Sequence, residues 1–157
     1  MPRKVGKSRI LAVEIYLFEI VGISPTYSFH VGHERFEPGA YGEHLHIGLT
    51  AMCLRPRKFE GRETGFTFIG TRELVTQTQA MPRTGVYPNR VGTLTLRGEQ
   101  SDYLGSLPYD AASTLPLMVL AGGYRFIYLS GPPMYRGSSR IGSSSFYRDF
   151  DPNDLEL

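Results

Sequence analysis

The chain has 157 residues, a formal net charge of +2, 41% hydrophobic and 12% aromatic residues, and one cysteine, Cys53. That hydrophobic share fills a packed interior, which excludes global disorder, and the length suits one domain with a core large enough to stand without staples. Near-balanced charge gives no broad field for nucleic acid or an anionic membrane, and a single thiol cannot build a disulfide scaffold.

Residues 1–9 are basic through Arg3, Lys4, Lys7 and Arg9, and residues 149–157 are acidic through Asp149, Asp151, Asp154 and Glu156. Both read as solvated ends flanking a single domain over 10–148. The apolar run 10–23 follows the basic start in the manner of a signal peptide. Glu14 and Glu19 interrupt it, however, no small-residue cleavage site follows, and it falls short of the roughly 20 apolar residues of a membrane span. A soluble, cytoplasmic protein with no membrane span is therefore expected. The β-branched and aromatic content of the run reads as a strand, with Leu11, Val13, Ile15 and Leu17 on one face and Ser24-Pro25 as its end.

A second short strand is expected over 27–31 and a loop around Glu37, Pro38, Gly39 and Gly42. Residues 44–54 alternate most cleanly: Leu45, Ile47, Leu49, Ala51 and Cys53 share one face, and His44, His46, Gly48, Thr50 and Met52 the other. Arg55-Pro56-Arg57-Lys58 breaks the pattern. Residues 64–75 continue as a strand with Phe66 and Phe68 on one face, 76–90 read as a long connection, and 91–97 as a strand with Leu94 and Leu96 inward.

One helix is expected over 108–121. Pro108 suits its first turn, and Ala111, Ala112, Leu115, Met118 and Val119 recur at helical spacing. Gly122-Gly123 offers a stop, and Pro116 should kink or split the helix. An apolar strand over 124–130, a flexible Ser- and Gly-rich loop over 137–145 and a short edge strand over 146–150 complete the reading. The chain is thus expected to be mainly β (α+β): an antiparallel β-sandwich or partial barrel with one covering helix near 108–121.

Three groups of residues have the chemistry for a site. All four histidines lie between His30 and His46, and the i, i+2 spacing of His44 and His46 puts both imidazoles on one face of a strand, where they can chelate a transition metal. His33 or Glu43, or alternatively Glu34 or Glu37, would complete three protein ligands, leaving a position for water as in a small metal-dependent β-fold enzyme. The second group is Arg55, Arg57, Lys58 and Arg62, with Tyr124, Phe126 and Tyr128 alternating on a later strand, a combination that suits single-stranded nucleic acid; Glu60 and Glu63 dilute it. Third, Arg136 and Arg140 flank a Gly-Ser segment that could hold phosphate but lacks the Gly-Lys-Ser/Thr of a P-loop.

No dinucleotide fingerprint, nucleophile elbow or internal repeat occurs. The expectation is a non-enzymatic protein-binding or assembly module that binds a protein partner or itself and needs no cofactor. The metal-dependent enzyme and a nucleic-acid-binding accessory role are the alternatives. Contacts are expected on two loops, through Arg55, Arg57, Lys58 and Arg62 of the first and Tyr87 and Arg90 of the second, because Arg and Tyr anchor interfaces well.

Overall fold

A computed structural model describes residues 12–31, 41–72 and 90–151. The first nine residues, the last six, His33, Glu34, Glu37 and Tyr87 lie outside the described residues. Among the described residues the fold is mainly β with one α-helix. Its strands, in chain order, are β1 (Glu14–Val31), β2 (Tyr41–Arg55), β3 (Glu63–Thr71), β4 (Gly92–Arg97), β5 (Gln100–Pro108), β6 (Phe126–Gly131), β7 (Ser138–Ile141) and β8 (Ser143–Tyr147), and the helix α1 (Tyr109–Leu120) follows β5.

The strands form one sheet in the order β7-β4-β5-β3-β2-β1-β6-β8. Only Gly142 separates β7 from β8, yet β7 pairs with β4 at one edge and β8 with β6 at the other. One short stretch of chain thus joins the two edges, and the Gly142 amide donates to the Ser130 carbonyl at the junction. The result is a nearly closed barrel rather than a sandwich. It is mixed rather than wholly antiparallel, because β3 and β5 run parallel.

The core fills the barrel along alternating positions. Leu45, Ile47, Leu49, Ala51 and Cys53 are all buried, as their spacing predicts, and so are Phe66, Phe68, Leu94 and Leu96. In β1 the inward residues are instead Tyr16 and Phe18. Leu17 is buried outside this cluster, Val13 is 69% exposed, and Leu11 lies outside the described residues. Ile20 continues the parity of Tyr16 and Phe18 and Ile23 breaks it, so the face changes at the register irregularity between Ile20 and Gly22. In β6 the inward pair is Ile127 and Leu129. Phe126 and Tyr128 face away from it, with Phe126 near Phe150 and Tyr128 near Tyr147.

Helix α1 packs Ala112 and Leu115 onto the core, while Ala111 and Met118 remain exposed. Pro116 does not split it. The helix ends where Gly122 takes a φ of +73°, a left-handed conformation that favours glycine, and the Gly122 and Gly123 amides satisfy the carbonyls of Val119 and Met118.

Two expectations are corrected, and one strand lies where none was expected. Ser24-Pro25 does not end β1, which runs on to Val31; there β1 has β2 on one side only, and an edge strand tolerates proline. Strand β5 occupies residues that carry no apolar alternation. The segment 137–145 is mostly strand rather than loop, since its serines are held: Ser139 is buried and donates to the Pro132 carbonyl at 2.6 Å.

Candidate functional site: a projecting two-stranded ribbon

The sheet's strand lengths are unequal, and the excess makes a ribbon. β6 pairs only with Glu14–Glu19 of β1, and β3 only with Leu45–Met52 of β2. Beyond these limits β1 and β2 pair with each other as far as Val31 and Tyr41. Among the described residues no other strand joins residues 28–31 and 41–44, and residues 21–27 of β1 have an open outer edge while their β2 partners also pair with β3. Residues 24–31 are all exposed.

Period-2 alternation gives the ribbon two chemically distinct faces. One carries Tyr27, Phe29, Val31 and Tyr41, which are 55%, 61%, 53% and 74% exposed. Phe29 and Tyr41 stack across the strands with centroids 5.3 Å apart. Glu43 lies on this face too, near the ribbon's root. It accepts from Arg72 at 2.9 Å and from the Tyr27 hydroxyl at 2.9 Å, with the Tyr109 hydroxyl 3.5 Å away. The Arg72 guanidinium lies over the Tyr109 ring, 3.8 Å from its centroid. These contacts tie the ribbon to the first residue of α1. The Arg72 and Tyr27 hydrogen bonds hold the Glu43 carboxyl below its ordinary range, and the Glu43 carboxylate in turn raises the Tyr27 phenol.

The other face carries His30, His44 and His46, all exposed. His30 and His44 lie nearly parallel with centroids 5.1 Å apart, and His44 meets His46 edge-on at 6.0 Å. The spacing of His44 and His46 therefore brings them together as expected, but their neighbour is His30 from the facing strand. Glu43 points to the opposite face and is engaged by Arg72 and Tyr27. Among the described residues, no three ligating side chains surround a common point.

The basic residues are dispersed. Arg57 and Lys58 are exposed on a 3-10 turn after β2. Arg62 serves the fold, donating to the Gly98 carbonyl and, at 2.9 Å, to the Gln100 carbonyl, which ties the β2–β3 turn to the β4–β5 turn. Register places Arg90 at the other end of these strands. Gly92 pairs with Gly105, which pairs with Phe68, whereas the 55–62 turn lies beside Glu63 at the start of β3. Arg90, the one described residue of the second expected loop, is therefore at the opposite end of these strands from the 55–62 turn. Of the aromatic residues expected with the basic group, Tyr124 packs with Phe146 against the core, Phe126 and Tyr128 lie near Phe150 and Tyr147, and Tyr128 is level with Arg55 because Leu17 pairs with both.

The ribbon itself went unseen in the sequence because it depends on the pairing of two strands whose lengths exceed those of their neighbours. One signal was present: residues 20–31 contain no Asp, Glu, Lys or Arg. Among the described residues no helix is long and apolar enough to cross a membrane. Comparison of the chain with protein-family models, with curated proteins and with solved structures returns no match.

Proposed function

We propose that this chain is a non-enzymatic protein-binding or assembly module of the cytoplasm, and that the ribbon formed by β1 and β2 is its contact element. The observation that carries this reading is the open outer edge of β1. Beyond Ile20 its outer backbone groups have no strand partner among the described residues, along a segment with no Asp, Glu, Lys or Arg, flanked by the exposed aromatic face. Edge strands in stable monomers are commonly blunted by charge, by cover or by shortness. Among the described residues only Pro25 interrupts the edge. A strand supplied by a second copy or by a partner would satisfy the backbone groups and cover Tyr27, Phe29 and Val31 at once.

Cytoplasmic placement suits the free, buried Cys53, which needs no oxidising compartment. Size-exclusion chromatography with light scattering tests the reading. The purified chain should run as a dimer or larger species, or with a bound protein, in a concentration-dependent manner. A strict monomer across the accessible concentrations, co-purifying with nothing, contradicts it.

A further inference from the structure

The histidine face of the ribbon is independent of the edge and of the aromatic face, and it has a chemistry of its own. Three imidazoles are gathered on an exposed surface, so a metal ion reaching them need not be stripped of all its water. Donors of this type favour the borderline ions over magnesium or calcium, which prefer oxygen. Among the described residues from 30 to 46 the carboxylate is Glu43, which belongs to the other face and is engaged by Arg72 and Tyr27.

We propose that this face captures one divalent transition-metal ion of the zinc, nickel or copper(II) class through His30 and His44, with water completing the shell.

Three observations support it. Two imidazoles sharing a tetrahedral ion, each with its nitrogen about 2.0 Å from the metal, have ring centroids roughly 5 Å apart. His30 and His44 already stand at 5.1 Å. The two rings pack beside one another, and aiming their nitrogens at one ion takes rotation of exposed side chains, a motion of picoseconds to nanoseconds that moves no backbone. His46, 6.0 Å from His44, stands on its far side, four strand positions from His30, and so serves as a neighbour of His44 rather than as a ligand to the same ion.

The second observation is Gly42, which pairs with His30 across the strands. A Cβ added at residue 42 would lie 2.4 Å from the His30 Nε2. The bare residue is what lets the His30 ring lie across the facing strand and come alongside His44. The third is the register itself. His30 and His44 come from two strands whose ten pairs from Gly22 to Val31 run without irregularity, so the backbone spacing of the two is fixed by the strand pairing rather than by a loop.

The test uses the full chain without an affinity tag, titrated calorimetrically with zinc chloride and with nickel chloride near neutral pH in a non-coordinating buffer, with magnesium chloride as the control. The titration is run at a dilution where light scattering gives a single species, so that failure of metal binding and failure of assembly are read separately. Zinc and nickel should each saturate one site while magnesium gives no heat of binding. His44→Ala should weaken zinc at least about tenfold. Glu43→Gln, which alters the opposite face, should bind as the parent does. Circular dichroism verifies that both variants are folded. The proposal is overturned by the absence of a saturable zinc site, by parent-like affinity in His44→Ala, or by a tenfold loss in Glu43→Gln.

Discussion

Phe29 of β1 stacks on Tyr41 of β2 with planes within 14° of each other, yet the two residues stay 61% and 74% exposed. The pair stiffens the ribbon but leaves most of its apolar area in water. Such area is available to a partner, and rigid aromatic side chains give up little conformational entropy on being covered. Phe29→Ala should therefore reduce stability by no more than about 1.5 kcal/mol, the order of one aromatic pair. It should weaken association more, by on the order of 2 kcal/mol, as a central aromatic contact does. Chemical denaturation and sedimentation equilibrium measure the two effects; equal losses in both would make Phe29 a purely structural residue.

Tyr103 shows how tightly the barrel interior is fitted. It is 99% buried, given its 1% exposure, and its hydroxyl has no hydrogen-bond partner among the described residues. Burial pushes its phenol up to about 12. The ring lies over Gly92 and Gly105, where an added Cβ would come within 2.2 and 2.5 Å of the hydroxyl. Gly92→Ala should destabilise the fold by about 1–3 kcal/mol through overpacking, read as a lower denaturation midpoint. Gly65, where an added Cβ meets nothing within 4 Å, provides the control: Gly65→Ala should change stability far less. Equal midpoints for the two variants would refute this packing.

Cys53 is fully buried, its thiol donates to the Arg55 carbonyl at 3.2 Å, and burial pushes it up to about 11. Both access and thiolate content are therefore low. A thiol reagent at pH 8 should modify the native chain only as fast as it unfolds, and the denatured chain at once. Rapid labelling of native protein would contradict the placement. Cys53→Ser should destabilise by about 1–3 kcal/mol, since it puts a more polar group in the same apolar surroundings.

Glu43 gives the ribbon's root a pH dependence. Its folded pKa is lowered, first by the Arg72 hydrogen bond and then by Tyr27. A depressed carboxyl stabilises the folded arrangement above its unfolded pKa, and the contribution is lost as pH falls through the folded value. The ordinary value is 4.5, so the root should hold above that pH and loosen below it. NMR of the Tyr27 and Tyr109 rings should show a transition below pH 4.5 that is missing in Glu43→Gln. A flat parent profile would show that the carboxylate does not fasten the ribbon.

How far the sequence could be read followed from where polar groups sit. β2 was legible because one face is wholly apolar and the other is not, so its period stands out. β5 was not, because its inward positions are Ser101, Tyr103 and Gly105; Ser101 is satisfied by Thr64, oxygen to oxygen at 2.7 Å, rather than by apolar packing. β7 was hidden by its serines for the same reason. At the site, strand periodicity gave the shared face of His44 and His46. It could not give His30, whose place beside His44 depends on the β1–β2 register, nor the ribbon, which depends on where β3 and β6 stop.

Amide hydrogen exchange of residues 24–31, followed as the chain assembles, tests the ribbon as contact element most directly. In dilute monomer the open-edge amides should exchange fast. In the assembled species they should be protected, and Phe29→Lys, which puts a charge on the edge strand, should abolish both the protection and the larger species while leaving barrel amides such as those of Ile47 and Phe68 slow. Fast exchange throughout 24–31 in an assembled species, with new protection appearing elsewhere, would contradict the account.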